Sequence, residues 1–265
     1  RAVNDGQGTS GLVSPKLTVV FGPWIGSEIY LNYGRGFHSN DPRAATTRVD
    51  PVTGDLTDTA SPLVPARGGE IGFRSVAVPR VQSTIALWYL SFDSELVFVG
   101  DAGIAEASRP SRRYGVEWTN YLNLTDWLTG ELDMSFSDAR FSDLDPAGFY
   151  IPGALDRVIA GALTVSPSER VFGRIRLRHF GARPLIEDNS VTSEATTILN
   201  GEIGFQLNEQ LNIVFEAFNL LDSSVSDIDY YYTSRLQGEP LDGVDDIHFH
   251  PSLPRTARVM LNVSF

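Results

Sequence analysis

The feature that most constrains this chain is a long-range alternation of apolar and polar residues. Its last segment shows the pattern most clearly: one side carries Ala257, Val259, Leu261, Val263 and Phe265, and the other carries Arg258, Met260, Asn262 and Ser264. A period of two places successive side chains on opposite faces of a β-strand. The sequence therefore predicts strands that each have one apolar face and one polar face.

The same alternation recurs along the chain and predicts eleven strands, most of them about ten residues long. They are residues 16–21, 27–35, 67–77, 81–93, 112–122, 127–140, 156–165, 170–180, 196–206, 211–219 and 255–265. Short turns near residues 23, 79, 125, 168 and 209 alternate with the long connections 36–66, 101–111, 141–155, 181–195 and 220–254. Short turns at one rim and long loops at the other are typical of an up-and-down antiparallel barrel.

The length of the strands and the distribution of charge favour a barrel that spans a membrane. About ten residues is the length that a tilted strand needs to cross a bilayer, whereas the strands of soluble sandwiches and propellers are shorter. The charges of the alternating strands share one face, and the opposite face is nearly free of charge. These charged residues are Lys16, Glu28, Glu70, Arg74, Glu117, Glu131, Asp133, Arg174, Arg176, Arg178, Glu202, Glu216 and Arg258.

Composition and missing motifs exclude several classes of function. The 21 Lys and Arg residues are outnumbered by 33 Asp and Glu residues, so the net charge of −12 argues against a nucleic-acid partner. With no cysteine, the chain has neither a disulfide framework nor a cysteine metal site. No Gly-x-Ser-x-Gly elbow, phosphate-binding loop or His-Glu-x-x-His motif occurs. The sequence predicts no enzymatic activity, no catalytic residue and no cofactor.

Several short motifs, in a consistent order, carry a resemblance to a known family. They are Ser-Pro-Lys-Leu at 14–17, Tyr-Leu-Asn-Tyr-Gly-Arg-Gly-Phe at 30–37, Tyr-Gly-Val-Glu at 114–117, Phe-Asn-Leu-Leu-Asp at 218–222, and Pro-Arg-Thr at 254–256 leading to the terminal Phe265. Together they resemble the C-terminal half of TonB-dependent outer-membrane receptors. The receptors of this family have barrels of about 22 strands with a plugged lumen. The resemblance therefore implies that residues 1–265 are the C-terminal portion of a receptor barrel, with the plug domain outside this chain.

Eleven strands leave three arrangements open: part of a 22-stranded barrel, which we favour, two copies that close together, or a complete barrel of 10–12 strands. The resemblance implies the outer membrane of a Gram-negative bacterium, contact with its lipid, and a connection to the TonB complex through the plug domain. It implies active uptake of a scarce extracellular ligand such as a ferric siderophore, cobalamin or a glycan. A passive porin-like channel and a soluble lectin-like β-protein are the alternatives.

Two groups of residues are predicted to contact such a ligand. Arg174, Arg176 and Arg178 form a cationic ladder along one strand, which suits either an anionic ligand or carboxylates of neighbouring strands such as Glu202. A second group, Tyr230, Tyr231 and Tyr232, lies in the last long connection and suits stacking on a ligand or packing within the loop.

The pair His248 and His250 is the one arrangement that raises the question of a metal. Its i, i+2 spacing puts both imidazoles on one side of an extended segment near Asp242, Asp245 and Asp246. We interpret this segment as an exposed loop, so no metal site is predicted.

Overall fold

The computed structural model describes residues 4–40, 45–49, 54–56, 59, 61–94, 96–99, 104–107 and 109–264. Within them the chain forms fifteen strands. They are β1 (Lys16–Trp24), β2 (Ser27–Ser39), β3 (Leu63–Ser75), β4 (Val81–Phe92), β5 (Leu96–Val99), β6 (Ile104–Ala107), β7 (Ser111–Asn123), β8 (Leu128–Phe141), β9 (Arg157–Ser168), β10 (Val171–Phe180), β11 (Thr196–Asn208), β12 (Leu211–Phe218), β13 (Ser226–Ser234), β14 (Val244–Pro251) and β15 (Thr256–Val263).

Eleven of these strands form one antiparallel sheet, in the order β1-β2-β3-β4-β7-β8-β9-β10-β11-β12-β15. They coincide with the eleven strands that the alternation predicts, so the predicted fold class is confirmed. In the described part of the chain β1 pairs only with β2 and β15 only with β12, which leaves the sheet open at both edges. The terminal Phe265, predicted to close the last strand, lies outside the described residues.

Two hairpins interrupt the long connections. β5 pairs with β6 between β4 and β7, and β13 pairs with β14 between β12 and β15. The alternation predicts long connections over residues 101–111 and 220–254, so it misses β6 and the hairpin β13–β14. It leaves open whether residues 94–100, which contain β5, extend the fourth strand or begin a loop. Each is a separate two-stranded sheet, and the up-and-down order of the main sheet is kept.

The strand registers place the thirteen charges named in the sequence analysis on one face, although Arg35, Arg67, Arg112, Asp138 and Arg140 lie on the other face at the loop-side ends of their strands. Glu28 lies opposite Arg74, and Arg174 lies opposite Glu202. Following such partners from strand to strand places all thirteen predicted charges on the same side, which we call the polar face. The other side, the apolar face, exposes large side chains such as Ile71, Leu87 and Leu261, at 49%, 58% and 61%. An apolar surface of this extent indicates contact with a membrane or a partner rather than with water.

Buried apolar side chains lie in the sheet, at Val64, Ala86, Ala162 and Val214, and a further group lies at the end of β8 and among the long connections. Phe141, Ile151 and Leu185 are nearly fully buried, and all three lie at the loop-side end of β8 or in the connections that follow β8 and β10. A single sheet layer has no second layer to cover either face, so such burial requires the loops to fold on one another. Among the described residues no helix is long and apolar enough to span a membrane.

Candidate functional site

Ion pairs and hydrogen bonds tie neighbouring strands together on the polar face. Arg74 pairs with Glu28, Arg258 donates to Glu216 at 2.6 Å, and Asn32 donates to Glu70 at 2.6 Å. Each of these contacts joins residues on adjacent strands. The polar face therefore carries fixed charges in an ordered arrangement.

The predicted arginine ladder lies on this face, and its three arginines have different neighbours. Arg174 binds Glu131 at 2.7 Å, reaching across β9, where the small Ala162 lies opposite Glu131. For Arg174 the partner is thus a carboxylate of a nearby strand, Glu131, rather than Glu202, which the sequence analysis named as an example. Glu202 is directly opposite Arg174, but the ion pair is made two strands away.

The other two members of the ladder have no carboxylate partner in the described part of the chain. The guanidinium of Arg178 lies 5.1 Å from the ring centroid of Phe180. Arg176 lies beside a small recess that Glu202 and Glu216 also line. Arg176 and Arg178 thus carry positive charge on the polar face without a paired carboxylate among the described residues.

The three predicted tyrosines lie on β13 and do not share one face. Asp229 and Tyr231 project to one side of the hairpin, while Tyr230 and Tyr232 project to the other, because successive residues of a strand alternate. The ring of Tyr232 stacks on His248, with centroids 3.9 Å apart and planes 17° from parallel. Two of the three tyrosines can therefore form a common stacking surface.

An ion pair joins the β13–β14 hairpin, which we call the tyrosine hairpin, to the connection that follows the arginine ladder. Arg183 donates to Asp229 at 2.6 Å, and both side chains are almost completely buried, at 8% and 9% exposure. Arg183 follows the end of β10 by three residues. One buried contact therefore joins the strand that carries the tyrosines to the connection that follows the arginine ladder, and the sequence pattern did not indicate it.

Arg109 also joins separate segments of the chain, and sequence reasoning missed it. It donates to Asp143 at 2.9 Å, to Glu187 at 2.8 Å and to the carbonyl oxygen of Gly148 at 2.9 Å. Its guanidinium also lies 4.5 Å from the centroid of the Phe141 ring. The planar fork of arginine suits such multiple acceptors. Three segments are joined here: the end of the β6–β7 connection and the connections after β8 and β10.

A cavity of about 900 Å³ lies between these connections and the sheet. Trp88, Ser137, Arg140, Tyr150 and Arg183 contribute to its lining. Arg140 binds Asp138 at 2.7 Å and lies 3.6 Å from the centroid of the Tyr150 ring. Aromatic walls with a few fixed polar groups are typical of small-molecule sites.

One loop carboxylate has a perturbed pKa. Hydrogen bonds from the backbone N–H and the side chain of Ser190 hold the pKa of Asp188 below its ordinary value of 3.8. The backbone bond measures 2.8 Å to Oδ1. The contact closes a tight turn in the β10–β11 connection, which also carries Arg183 and Glu187.

The histidine pair does not form a metal centre in the described residues. No group of three His, Cys, Asp or Glu side chains there is arranged to hold a metal ion. His248 stacks on Tyr232, and His250 lies 3.8 Å from Asp227.

Comparison with proteins of known structure identifies the same architecture. Fiu, a ferric-catecholate import receptor from E. coli, shares 18% identity and a TM-score of 0.70 over 94% of this chain and 34% of its own. FyuA, the ferric yersiniabactin uptake receptor from Yersinia pestis, shares 14% identity and a TM-score of 0.72 over 94% of this chain and 37% of its own. The siderophore receptor PiuA from Acinetobacter baumannii shares 12% identity and a TM-score of 0.67 over 93% of this chain and 35% of its own.

The chain thus spans about a third of the length of these receptors. At such low identity the similarity establishes the fold alone. A search of curated proteins finds no match.

A family model provides the assignment. The model described as TonB dependent receptor-like, beta-barrel, matches residues 2–220, which include ten of the eleven sheet strands. The family consists of receptors of the Gram-negative outer membrane rather than enzymes, in agreement with the absence of catalytic motifs. The chain therefore belongs to the family of TonB-dependent receptor-like β-barrels.

Proposed function

We propose that residues 1–265 form the C-terminal portion of the barrel of an outer-membrane receptor that imports a scarce ligand with energy from TonB. The apolar face contacts the lipid of a Gram-negative outer membrane, and the polar face lines the interior. A plug domain from a part of the receptor outside these residues occupies that interior and contacts TonB. This chain spans about a third of the length of its structural relatives, which supports a division between this portion and the rest of a receptor.

The observation that carries the proposal is the division of the sheet into a polar face and a face that is apolar over most of the length of its strands. Ile71 and Leu87 are exposed on the apolar side, whereas Glu28 and Arg74 pair on the polar side. Transmembrane barrels alternate in this way because one side of each strand meets hydrocarbon and the other meets the lumen. In a water-soluble sheet, exposed apolar side chains in such number would favour aggregation.

We assign the ligand to the class of ferric chelates. The structural relatives include receptors for ferric catecholates and ferric yersiniabactin, and this chain offers complementary chemistry. Arg176 and Arg178 present cationic groups to the interior, and ferric chelates commonly carry negative charge. Tyr232 supplies aromatic surface on the loop side. Cobalamin and glycans are neighbouring ligand classes that the same test separates.

The test uses the complete gene product that contains this chain, expressed in a Gram-negative host that lacks its own ferric-chelate receptors. Under iron starvation the host receives ferric catecholate or ferric citrate as its sole iron source, and growth and ⁵⁵Fe uptake are measured. We expect uptake in cells with TonB and none in otherwise identical cells without it. Labelled cobalamin and a maltodextrin series are supplied in parallel arms.

Three outcomes contradict the proposal in distinguishable ways. Uptake that persists without TonB, together with steady ion conductance in planar bilayers, identifies a passive channel. A protein that remains monodisperse in buffer without detergent identifies a soluble β-protein. TonB-dependent uptake of cobalamin or glycan alone overturns the ferric-chelate assignment and keeps the receptor function.

A further inference from the structure

A row of arginines crosses five neighbouring strands on the apolar face. Register pairs Arg35 with Arg67, Arg67 with Ser91, Ser91 with Arg112, and Arg112 with Arg140. We call Arg35, Arg67, Arg112 and Arg140 the arginine row. It lies toward the ends of β2, β3, β4, β7 and β8 that lead into the long connections. These are the charged residues that interrupt an otherwise apolar surface at this level.

A row of tyrosines lies two residues nearer the short turns on the same face. Tyr33, Tyr89 and Tyr114 occupy it, and register connects Tyr33 to Tyr89 through Gly69. All three tyrosines are about half exposed. Tyrosine prefers the level of lipid headgroups, where its ring meets hydrocarbon and its hydroxyl meets water. The arginine row therefore lies on the headgroup side of a membrane interface.

A groove opens in the tyrosine row where Gly69 lacks a side chain. It measures about 470 Å³, and Tyr33 and Tyr89 form its walls. Ile71 and Leu87 line its apolar end, and Arg67 lines the other. An apolar channel that ends in a cation has the shape and polarity of a lipid, with an acyl chain below and a charged headgroup above.

Three of the four charges of the arginine row have no carboxylate partner among the described residues. Like charges directly opposite each other destabilise a sheet, yet Arg35 faces Arg67 and Arg112 faces Arg140. Asp138 neutralises Arg140 through two hydrogen bonds, at 3.1 and 2.7 Å. Arg35, Arg67 and Arg112 have no carboxylate partner among the residues that the structure describes, and all three are exposed. An external anion is the group that would relieve this repulsion.

We propose that the arginine row and the Gly69 groove bind a membrane lipid in the external leaflet whose phosphate-bearing headgroup carries a net negative charge. The guanidinium groups of Arg35, Arg67 and Arg112 bind phosphate oxygens, which match the planar fork of arginine. An acyl chain of the same lipid occupies the groove between Tyr33 and Tyr89. The inference rests on the membrane location proposed above and adds a binding site on the outside of the barrel.

The test measures lipid binding by native mass spectrometry on the complete gene product in detergent micelles. The probe is phosphatidic acid, and phosphatidylcholine with the same acyl chains is the comparison, since it carries no net charge. We expect phosphatidic acid to bind at least tenfold more tightly. The double variant Arg67→Gln/Arg112→Gln should abolish that preference, whereas the control Arg170→Gln/Arg235→Gln, which removes two exposed arginines elsewhere, should keep it.

A second variant and a competitor complete the design. Gly69→Val fills the groove and leaves the arginines in place, so it should weaken phosphatidic acid binding about tenfold. Inorganic phosphate in millimolar excess should not displace the lipid, because it lacks the chain that the groove holds. Displacement by inorganic phosphate would show a simple anion site and overturn the lipid assignment.

Equal binding of phosphatidic acid and phosphatidylcholine by the unaltered protein overturns the inference even when a variant fails to fold. Such a result leaves the receptor function intact if the protein still requires detergent. A protein that is monodisperse without detergent contradicts the proposed membrane location itself.

Discussion

The ring of Tyr30 covers Gly72, the residue directly opposite it on the neighbouring strand. A Cβ atom at Gly72 would lie 2.0 Å from Tyr30 Cζ. Phe172 covers Gly204 in the same way, where a Cβ would lie 2.1 Å from Phe172 Cε1. Large residues thus lie flat over glycines on the polar face, which lets the rings cover strand backbone and pins the register.

We expect Gly72→Ala to lower the free energy of unfolding by about 1–3 kcal/mol, because the added methyl group displaces the Tyr30 ring. Gly36→Ala is the matched control: Gly36 lies on the same polar face, in β2, and a Cβ added there would meet no atom within 4 Å. Urea unfolding in detergent, followed by Trp fluorescence, measures both. A Gly72→Ala variant as stable as Gly36→Ala would show that the ring moves without cost.

The ladder arginines should separate into a structural and a ligand-contacting group. Arg176→Gln/Arg178→Gln should weaken binding of ferric citrate or ferric catecholate severalfold, with a reduced dependence on salt, since neither cation has a carboxylate partner in the described ranges. Arg174→Gln should affect binding less, because its charge is already bound by Glu131. Quenching of Trp fluorescence at low and high salt gives the affinities. Equal losses in the two variants would contradict the distinction.

Removing one member of the buried Arg183–Asp229 pair should release the tyrosine hairpin. Asp229→Asn leaves a buried guanidinium without its counter-charge, which costs about 3–5 kcal/mol at buried sites. We expect much faster amide hydrogen exchange across β13 and β14 and little change in β9. Asp242→Asn, an exposed position at the hairpin tip, is the control. Unchanged exchange in the hairpin would mean that other contacts hold it.

Arg109→Lys keeps the charge and loses the fork that reaches Asp143, Glu187 and the Gly148 carbonyl together. We expect the connections after β8 and β10 to become sensitive to limited proteolysis at the same time. Arg170→Lys, in a short turn, should leave the digestion pattern unchanged. Cleavage confined to one connection would show that the three segments are held independently.

The turn at Asp188 should open in acid. Because hydrogen bonds from Ser190 lower the pKa of Asp188 in the folded protein, its stabilising effect is complete above the ordinary pKa of 3.8 and is lost as the pH falls through the lower folded value. Hydrogen exchange of the Ser190 amide, corrected for its intrinsic pH dependence, should lose protection in that range. Asp188→Ala should remove this pH dependence of exchange. If the pH dependence persists in that variant, another titrating group controls the opening of the turn.

The main sheet was predictable because each strand repeats one simple pattern. Leu199, Ile203 and Phe205 alternate with polar residues in β11, and the observed strand follows that alternation. The hairpin β13–β14 was missed because Tyr230, Tyr231 and Tyr232 are consecutive, so aromatic residues occupy both of its faces. When the two faces of a hairpin have similar polarity, its sequence shows no alternation of apolar and polar residues.

The contacts of the site depend on information that a period of two does not contain. Arg174 reaches Glu131 because β9 presents a small alanine opposite that carboxylate, a relationship that requires the registers of two strand pairs. Arg109 and Glu187 meet through loop conformations for which turn residues give only local rules. The arginine row likewise emerges only when four strand registers are read together.

The contrast between the two rims has a practical consequence for labelling. The turn between β9 and β10 consists of Glu169 and Arg170 alone, so a peptide tag inserted there would force apart strands that are paired up to the turn. The tip between Ser234 and Val244 belongs to a separate hairpin and is exposed at Leu236 and Leu241. An epitope or fluorophore placed in that tip would leave the pairing of the eleven-stranded sheet undisturbed.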